Sequence, residues 1–269
     1  MLRTLAPLLI ASPAPRSGTT LLQRLLCSSP DAVIFGESVA HDMNLLLSLL
    51  QNKKMLLGGD GSRRSRQFEQ VVSGDVNDWI PDLLPDGDWV LQRFEAALSG
   101  YFAAYADVAG QHGRRRWGAK LPAWPVPLLA ELLDAMPGAR LVYVVRDLES
   151  TVRSAKLIGA CGDADTIREF CLAWREHQRQ VARACPADRT LRIDYRQLYG
   201  EAEPVLRSLS AFAGVSAIDA SVMDQRINES GRGYVAPPAL DPDERELIES
   251  LNVAHPAAAF EPPGETADD

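Results

Sequence analysis

Short apolar runs alternate with longer stretches of helical periodicity over most of the chain. Residues 5–11 (LAPLLIA) suit a strand buried on both faces, and residues 18–28 then repeat leucine at 21, 22, 25 and 26, a helical spacing. Residues 32–35 (AVIF) predict a second strand, ending at Gly36-Glu37. Apolar residues at 91, 94, 98, 101, 105 and 108 predict one long amphipathic helix over 89–109. Residues 115–120 (RRWGAK) predict a third strand, and 125–136 a helix closed by Pro137-Gly138. The strongest strand signal is 140–145 (RLVYVV), β-branched and aromatic, with a helix over 148–158 behind it. Asp163 or Asp165 can cap a helix reaching Ala184. Residues 189–195 (RTLRIDY) predict the last strand, with helices over 203–213 and from about Asp241-Pro242. Two glycine-bearing stretches, 53–66 (KKMLLGGDGSRRSR) and 228–238 (NESGRGYVAPP), read as loops, the first of them mobile.

Crossovers of this length are too long for hairpins, so the strands pair in parallel and carry helices on both faces. The expected fold is α/β: a single-domain three-layer α/β/α sandwich over residues 1–255, followed by a disordered acidic tail at 256–269. The first residues (MLRTLAPLLIASPA) share a basic residue, an apolar run and small residues with secretory signals. Removing them would take away the strand that feeds the next loop, so a first strand is the expectation. No apolar run reaches the ~18 residues needed to span a bilayer.

Composition narrows the partners. The chain has 269 residues, is 46% hydrophobic and carries a net charge of −8, which argues against a nucleic-acid partner. An anionic ligand must therefore be held by a local cluster of basic groups. The four cysteines (Cys27, Cys161, Cys171, Cys185) have neither CxxC pairing nor a histidine at metal-ligand spacing, so the expectation is a reduced, cytoplasmic protein without a structural metal.

In open α/β sheets ligands sit beyond the carboxyl ends of the strands. The residues following the five predicted strands are the loop Arg16-Ser17-Gly18-Thr19-Thr20, then Glu37, Lys120, Arg146 and Tyr195. The loop opens a helix, whose free N–H groups and partial positive charge favour phosphate-like anions, and Gly18 lets the backbone approach the ligand. Set against the phosphate-loop pattern GxxxxGK[ST], Pro13 stands at the first glycine and Thr19 at the lysine, with Arg16 the nearby cation.

The stretch PAPRSGTTLL resembles the 5′-phosphosulfate loop of sulfotransferases that use 3′-phosphoadenosine 5′-phosphosulfate (PAPS). LVYVVRDLESTVRS resembles that family's 3′-phosphate motif, with Arg146 and Ser154 in its two positions. The resemblance covers roughly residues 5–215 and extends to RSGTTLLQRLLCSSPDAVIFGES, similar to the tyrosylprotein sulfotransferase branch, in which the Glu is the catalytic base. GAKLP is similar to a segment supplying a catalytic lysine, and IDYRQL to one whose Tyr contacts the nucleotide. The resemblance implies transfer of a sulfuryl group from PAPS to the hydroxyl of an acceptor (peptide tyrosine, sugar or secondary metabolite), leaving 3′-phosphoadenosine 5′-phosphate (PAP) and needing no metal. It implies Glu37 as base, with Lys120 and Arg16 at the departing phosphate. Arg16, Ser17, Gly18, Thr19, Thr20, Arg146, Ser154 and Tyr195 would bind the nucleotide, with Arg232 a looser counterpart of the family's C-terminal basic loop. The histidine of the branch acting on small phenols and steroids is absent from GAKLP.

Other readings stay open at this point. Glu37 could cap the helix it precedes, and His41, four residues on, could be the base instead. Lys120 could be a solvated charge, Arg146-Asp147 a local ion pair, and Tyr195 a core residue. A small-molecule kinase would need a metal-holding carboxylate, for which Asp147 and Asp194 are the nominal candidates; a non-catalytic nucleotide-binding protein is the third class. The acceptor pocket is expected to come from residues 38–110.

Overall fold

The structure is a computed structural model that describes residues 2–58, 61–75, 83–84, 86–224 and 236–254. Its centre is a five-stranded sheet in the order β2-β3-β1-β4-β5, with every pairing parallel. In chain order the elements are β1 (Leu8–Ser12), α1 (Thr19–Ser28), β2 (Ala32–Phe35), α2 (Glu37–Leu57), α3 (Gly61–Val72) and α4 (Gly87–Gln111). β3 (Arg116–Pro122), α5 (Val126–Ala135), β4 (Arg140–Val145), α6 (Leu148–Leu157) and α7 (Ala164–Ala184) follow. The chain then forms β5 (Thr190–Asp194), α8 (Gln197–Gly200), α9 (Ala202–Ala213) and α10 (Pro242–Ala254).

All five residues of β1 are buried, as expected for the middle strand of a parallel sheet covered on both faces. The stretch with signal-like composition is therefore the middle of the fold. Alternating side chains send the sheet into two cores. On one face Leu8, Ile10, Val142 and Val144 pack with Leu22, Leu25 and Leu26 of α1 and Leu206 and Leu209 of α9. On the other, Leu9, Ala119, Leu141 and Tyr143 pack beneath α2, α4, α5 and α7. These are the three layers the sequence predicts.

Gly118 of β3 is paired with Leu8 of β1, and a Cβ there would lie 1.9 Å from the Leu8 carbonyl oxygen. Only glycine fits at this point of β3, two residues before Lys120.

One expectation fails. Within residues 53–66, read as a mobile loop, 53–57 and 61–66 are helical, because α2 runs on to Leu57 and α3 begins at Gly61. Polar contacts accompany the buried Leu57 in this region. Lys54 pairs with Glu95 of α4 at 3.1 Å, and Arg64 donates to the carbonyls of Leu56, Leu57 and Gly58, filling the acceptors that the end of α2 leaves open. Arg64, in the basic run of this stretch, supplies this helix cap. No residue of α3 is buried, which is why a hydrophobic pattern could not reveal it. The 256–269 tail and most of 228–238, Arg232 included, lie outside the described residues.

Candidate active site at the strand ends

Crossing the sheet in its spatial order, the tips of the strands present Glu37 after β2, Lys120 in β3, the 13–18 loop after β1, Arg146 after β4 and Tyr195 after β5. The sequence order is different, so only the fold brings these five together in a row.

The loop is shaped from within. Ser12 and Ser17, both fully buried, donate to the carbonyl of Ala14 at 2.7 and 2.9 Å. That bond engages the Ser17 hydroxyl, so Ser17 can offer an anion its backbone N–H and not its side chain. Two residues sit in the left-handed region, Arg16 at φ 71° and Gly18 at φ 107°. Gly18 is the residue before α1, and a Cβ there would lie 2.3 Å from the ring of Tyr195. A side chain at that position would meet both backbone strain and a collision. Thr19 and Thr20 open the first turn of α1, where unpaired N–H groups gather.

Arg16 reaches back across the sheet, its Nε donating to Ser154 Oγ on α6 at 3.0 Å. Arg146 donates to the Arg16 carbonyl at 3.4 Å and stands over the Tyr195 ring, 5.0 Å from its centroid. Tyr195 meets a second phenol, Tyr199, at 3.3 Å between hydroxyls; burial, and then this hydrogen bond, push its phenol well above the usual range and keep it neutral. Gly18, Tyr195, Arg146, Arg16 and Ser154 thus form one interlocked group. Tyr195 packs against the core on one side, and its ring buttresses the loop and carries the guanidinium.

On the other side of the loop, Lys120 is 9% exposed, and its ammonium lies 2.6 Å from Glu37 Oε1 and 3.4 Å from Thr20 Oγ1. Lys120 is not a solvated charge. Glu37 lies in the first turn of α2, where the helix dipole favours a carboxylate, but the preceding Gly36 has no side-chain cap and the Glu37 carboxylate faces Lys120. His41 is exposed one turn farther along α2, and among the described residues no hydrogen bond joins it to Glu37 or Lys120.

The two aspartates that a metal-dependent kinase would need are engaged elsewhere. Asp147 caps α6, accepting from Ser150 N–H at 2.8 Å, and Asp194 pairs with Arg196 at 3.2 Å. Among the described residues no group of histidine, cysteine or acidic side chains could hold a metal ion.

Residues 7–219 match the sulfotransferase family. The chain belongs to that family. This sulfotransferase-family chain is 24% identical over 253 residues to protein-tyrosine sulfotransferase 1 of Danio rerio, an alignment covering 92% of the chain and 64% of that relative's length. Its fold matches the sulfotransferase domain of the Synechococcus PCC 7002 olefin synthase with a TM-score of 0.51 at 19% identity, over 92% of this chain and 94% of that domain. A sulfotransferase from Alicyclobacillus acidocaldarius aligns over 95% of this chain and 98% of its own, with a TM-score of 0.48 at 15% identity.

Two features of the site escaped the sequence reading. The inward hydroxyl of Ser12 had no motif to mark it. A polar chain behind α2, running from Asn44 through Trp124 and His177 to Tyr143, joins residues far apart in sequence whose relation only the fold reveals.

Proposed function

We propose that this sulfotransferase-family chain moves the sulfuryl group of PAPS to the hydroxyl of an acceptor. The supporting observation is the row of strand-tip groups: three cations, a helix N-terminus and one carboxylate converge in a protein whose net charge is −8. The donor set suits a molecule with two separate anionic ends. Arg146 with Ser154 fits the 3′-phosphate, where a guanidinium fork matches phosphate oxygens. Arg16, the N–H groups at the head of α1 and the hydroxyls of Thr19 and Thr20 fit the phosphosulfate.

In the transfer the acceptor oxygen forms a bond to sulfur as the bond from sulfur to the bridging phosphate oxygen breaks. Glu37 takes the hydroxyl proton, and the electron pair of the broken bond stays on the phosphate of PAP. Lys120, held between Glu37 and Thr20, is placed to stabilise charge on that departing oxygen. Positioning and charge stabilisation supply the catalysis, as in phosphoryl transfer. The engaged Asp147 and Asp194 weigh against the kinase reading. The acceptor is a hydroxyl compound, and tyrosyl peptides come first in a screen because of the relative's name. The unpaired thiols of Cys27, Cys161, Cys171 and Cys185 support a reducing compartment.

A screen of tyrosyl peptides, sugars and aliphatic alcohols with labelled PAPS tests the activity. Label transfer to one class is expected. Transfer to none, together with phosphoryl transfer from ATP, would overturn it.

A further inference from the structure

Glu37 is not the only point at which α2 is fastened to β3 and its following turn. Asn44 lies seven residues farther on; at about 100° per residue, seven steps return to within about 20° of the starting direction. Asn44 therefore faces the same way as Glu37, about 10 Å along the helix. It is buried, and its Oδ1 accepts from the indole Nε1–H of Trp124 at 2.7 Å. Trp124 is fully buried and stands four residues after Lys120, beyond a sharp turn at Ala123. Ala123 has a left-handed φ of 49°, and its N–H donates to the Ser12 carbonyl at 2.9 Å. The same turn that directs the indole under α2 is thus hydrogen-bonded to the end of β1.

The other polar end of Trp124 is held too. Its carbonyl lies 2.8 Å from His177 Nε2 on α7, and Tyr143 of β4 lies 2.8 Å from His177 Nδ1. A carbonyl only accepts, so Nε2 carries the proton and Nδ1 accepts from the Tyr143 hydroxyl. The neutral imidazole satisfies both partners at once, and burial, which pushes the His177 pKa down, favours that form. The Tyr143 and His177 rings are also nearly parallel, 3° apart with centroids at 5.7 Å.

Satisfying buried polar groups would be reason enough for such a chain in any core. Its position gives it a second consequence. It ties the helix bearing Glu37 to the turn just past Lys120, and so adds a second polar tether two helical turns along α2 from the half-buried Lys120–Glu37 pair. We propose that Asn44 and Trp124 are positioning residues for the reaction, holding the Glu37 carboxylate in register with Lys120, and that His177 locks Trp124 in place. This rests on the reading of Glu37 as the base.

The test uses the full chain, labelled PAPS and the acceptor returned by the screen. Asn44→Leu and Trp124→Phe are each expected to lower kcat at least tenfold while the Kd for PAP stays within twofold. Trp124→Phe keeps the test open if Asn44→Leu fails to fold. His177→Gln, whose amide can still donate to the Trp124 carbonyl, should retain most of the kcat that His177→Leu loses. A crystal structure of either α2-side variant should show Glu37 Oε1 and Lys120 Nζ more than about 4 Å apart, beyond ion-pair range. Ile248→Ala, buried on α10 and outside the Asn44–Trp124–His177–Tyr143 chain, serves as a control for lost stability. Adding Asn44→Leu to Glu37→Gln should slow the enzyme no further, because the two act through one group. If Asn44→Leu and Trp124→Phe lose no more kcat than Ile248→Ala at an equal fall in Tm, the positioning role is overturned while Glu37 stands. A fully active Glu37→Gln enzyme would remove the base, and the positioning role with it.

Discussion

The two sides of the strand-tip row are assembled differently. On the β4–β5 side the contacts interlock: Gly18 against the Tyr195 ring, Arg146 over that ring and bonded to the Arg16 carbonyl, and Arg16 bonded to Ser154. Arg16, Arg146 and Tyr195 each touch two members of this group, with Gly18 and Ser154 at its ends. On the β2–β3 side a single ion pair, Lys120–Glu37, links a buried lysine with a carboxylate whose side chain is 48% exposed. A site that holds an anion gains from rigidity throughout. A carboxylate proposed to take a proton from an acceptor hydroxyl needs one free edge. The β2–β3 side is also held from behind, where Met43, Leu47 and Leu50 of α2 are buried and Asn44 meets Trp124.

The sharpest way to separate the two sides is Glu37→Gln. Losing a general base costs about 10²–10⁴ in rate, and kcat should fall by that factor while PAP binding is unchanged. Arg146→Ala should do the reverse. Losing charged hydrogen bonds of about 1.5–3 kcal/mol, it should weaken PAP about ten- to hundredfold and leave adenosine 5′-phosphosulfate, which lacks the 3′-phosphate, nearly unaffected. Equal losses for both nucleotides in a competition assay would place the 3′-phosphate elsewhere. Gly18→Ala meets left-handed strain of about 1–2 kcal/mol plus the Tyr195 ring, so PAP affinity should drop about tenfold and Tm should fall. A Gly18→Ala enzyme with normal affinity would show that the loop and Tyr195 are not interlocked. Smallest is Ser154→Ala. It removes the partner of Arg16 Nε at about 1 kcal/mol, so PAP should bind a few-fold more weakly with kcat for bound donor retained. A change in kcat alone would move Ser154 to the catalytic side.

The interlocked side was legible in the sequence because its residues sit at fixed offsets from strand ends: Arg146 directly after an apolar run, Ser154 eight residues on, Gly18 at the head of a leucine-spaced helix. The order of the strands was not legible, since it is set by crossovers and not by local pattern. Glu37 and Lys120 could be named but not paired, as 83 residues separate them. Asn44, Trp124, His177 and Tyr143 carried no signal at all. A buried histidine or tryptophan satisfied by distant partners looks, in one dimension, like any core residue. The misread stretch at 53–66 teaches the same point from the surface, where Arg64 stabilises a helix end through bonds that no periodicity reveals.

The most direct measurement is a calorimetric titration of the full chain with PAP, ATP and ADP under the same salt and pH. The proposed pair of anion-binding subsites on either side of Tyr195 predicts that PAP binds at least tenfold more tightly than either adenosine polyphosphate, and that Arg146→Ala abolishes this preference. Tighter binding of ATP, with PAP no better than ADP, would contradict the assignment of this site to a 3′-phosphorylated donor.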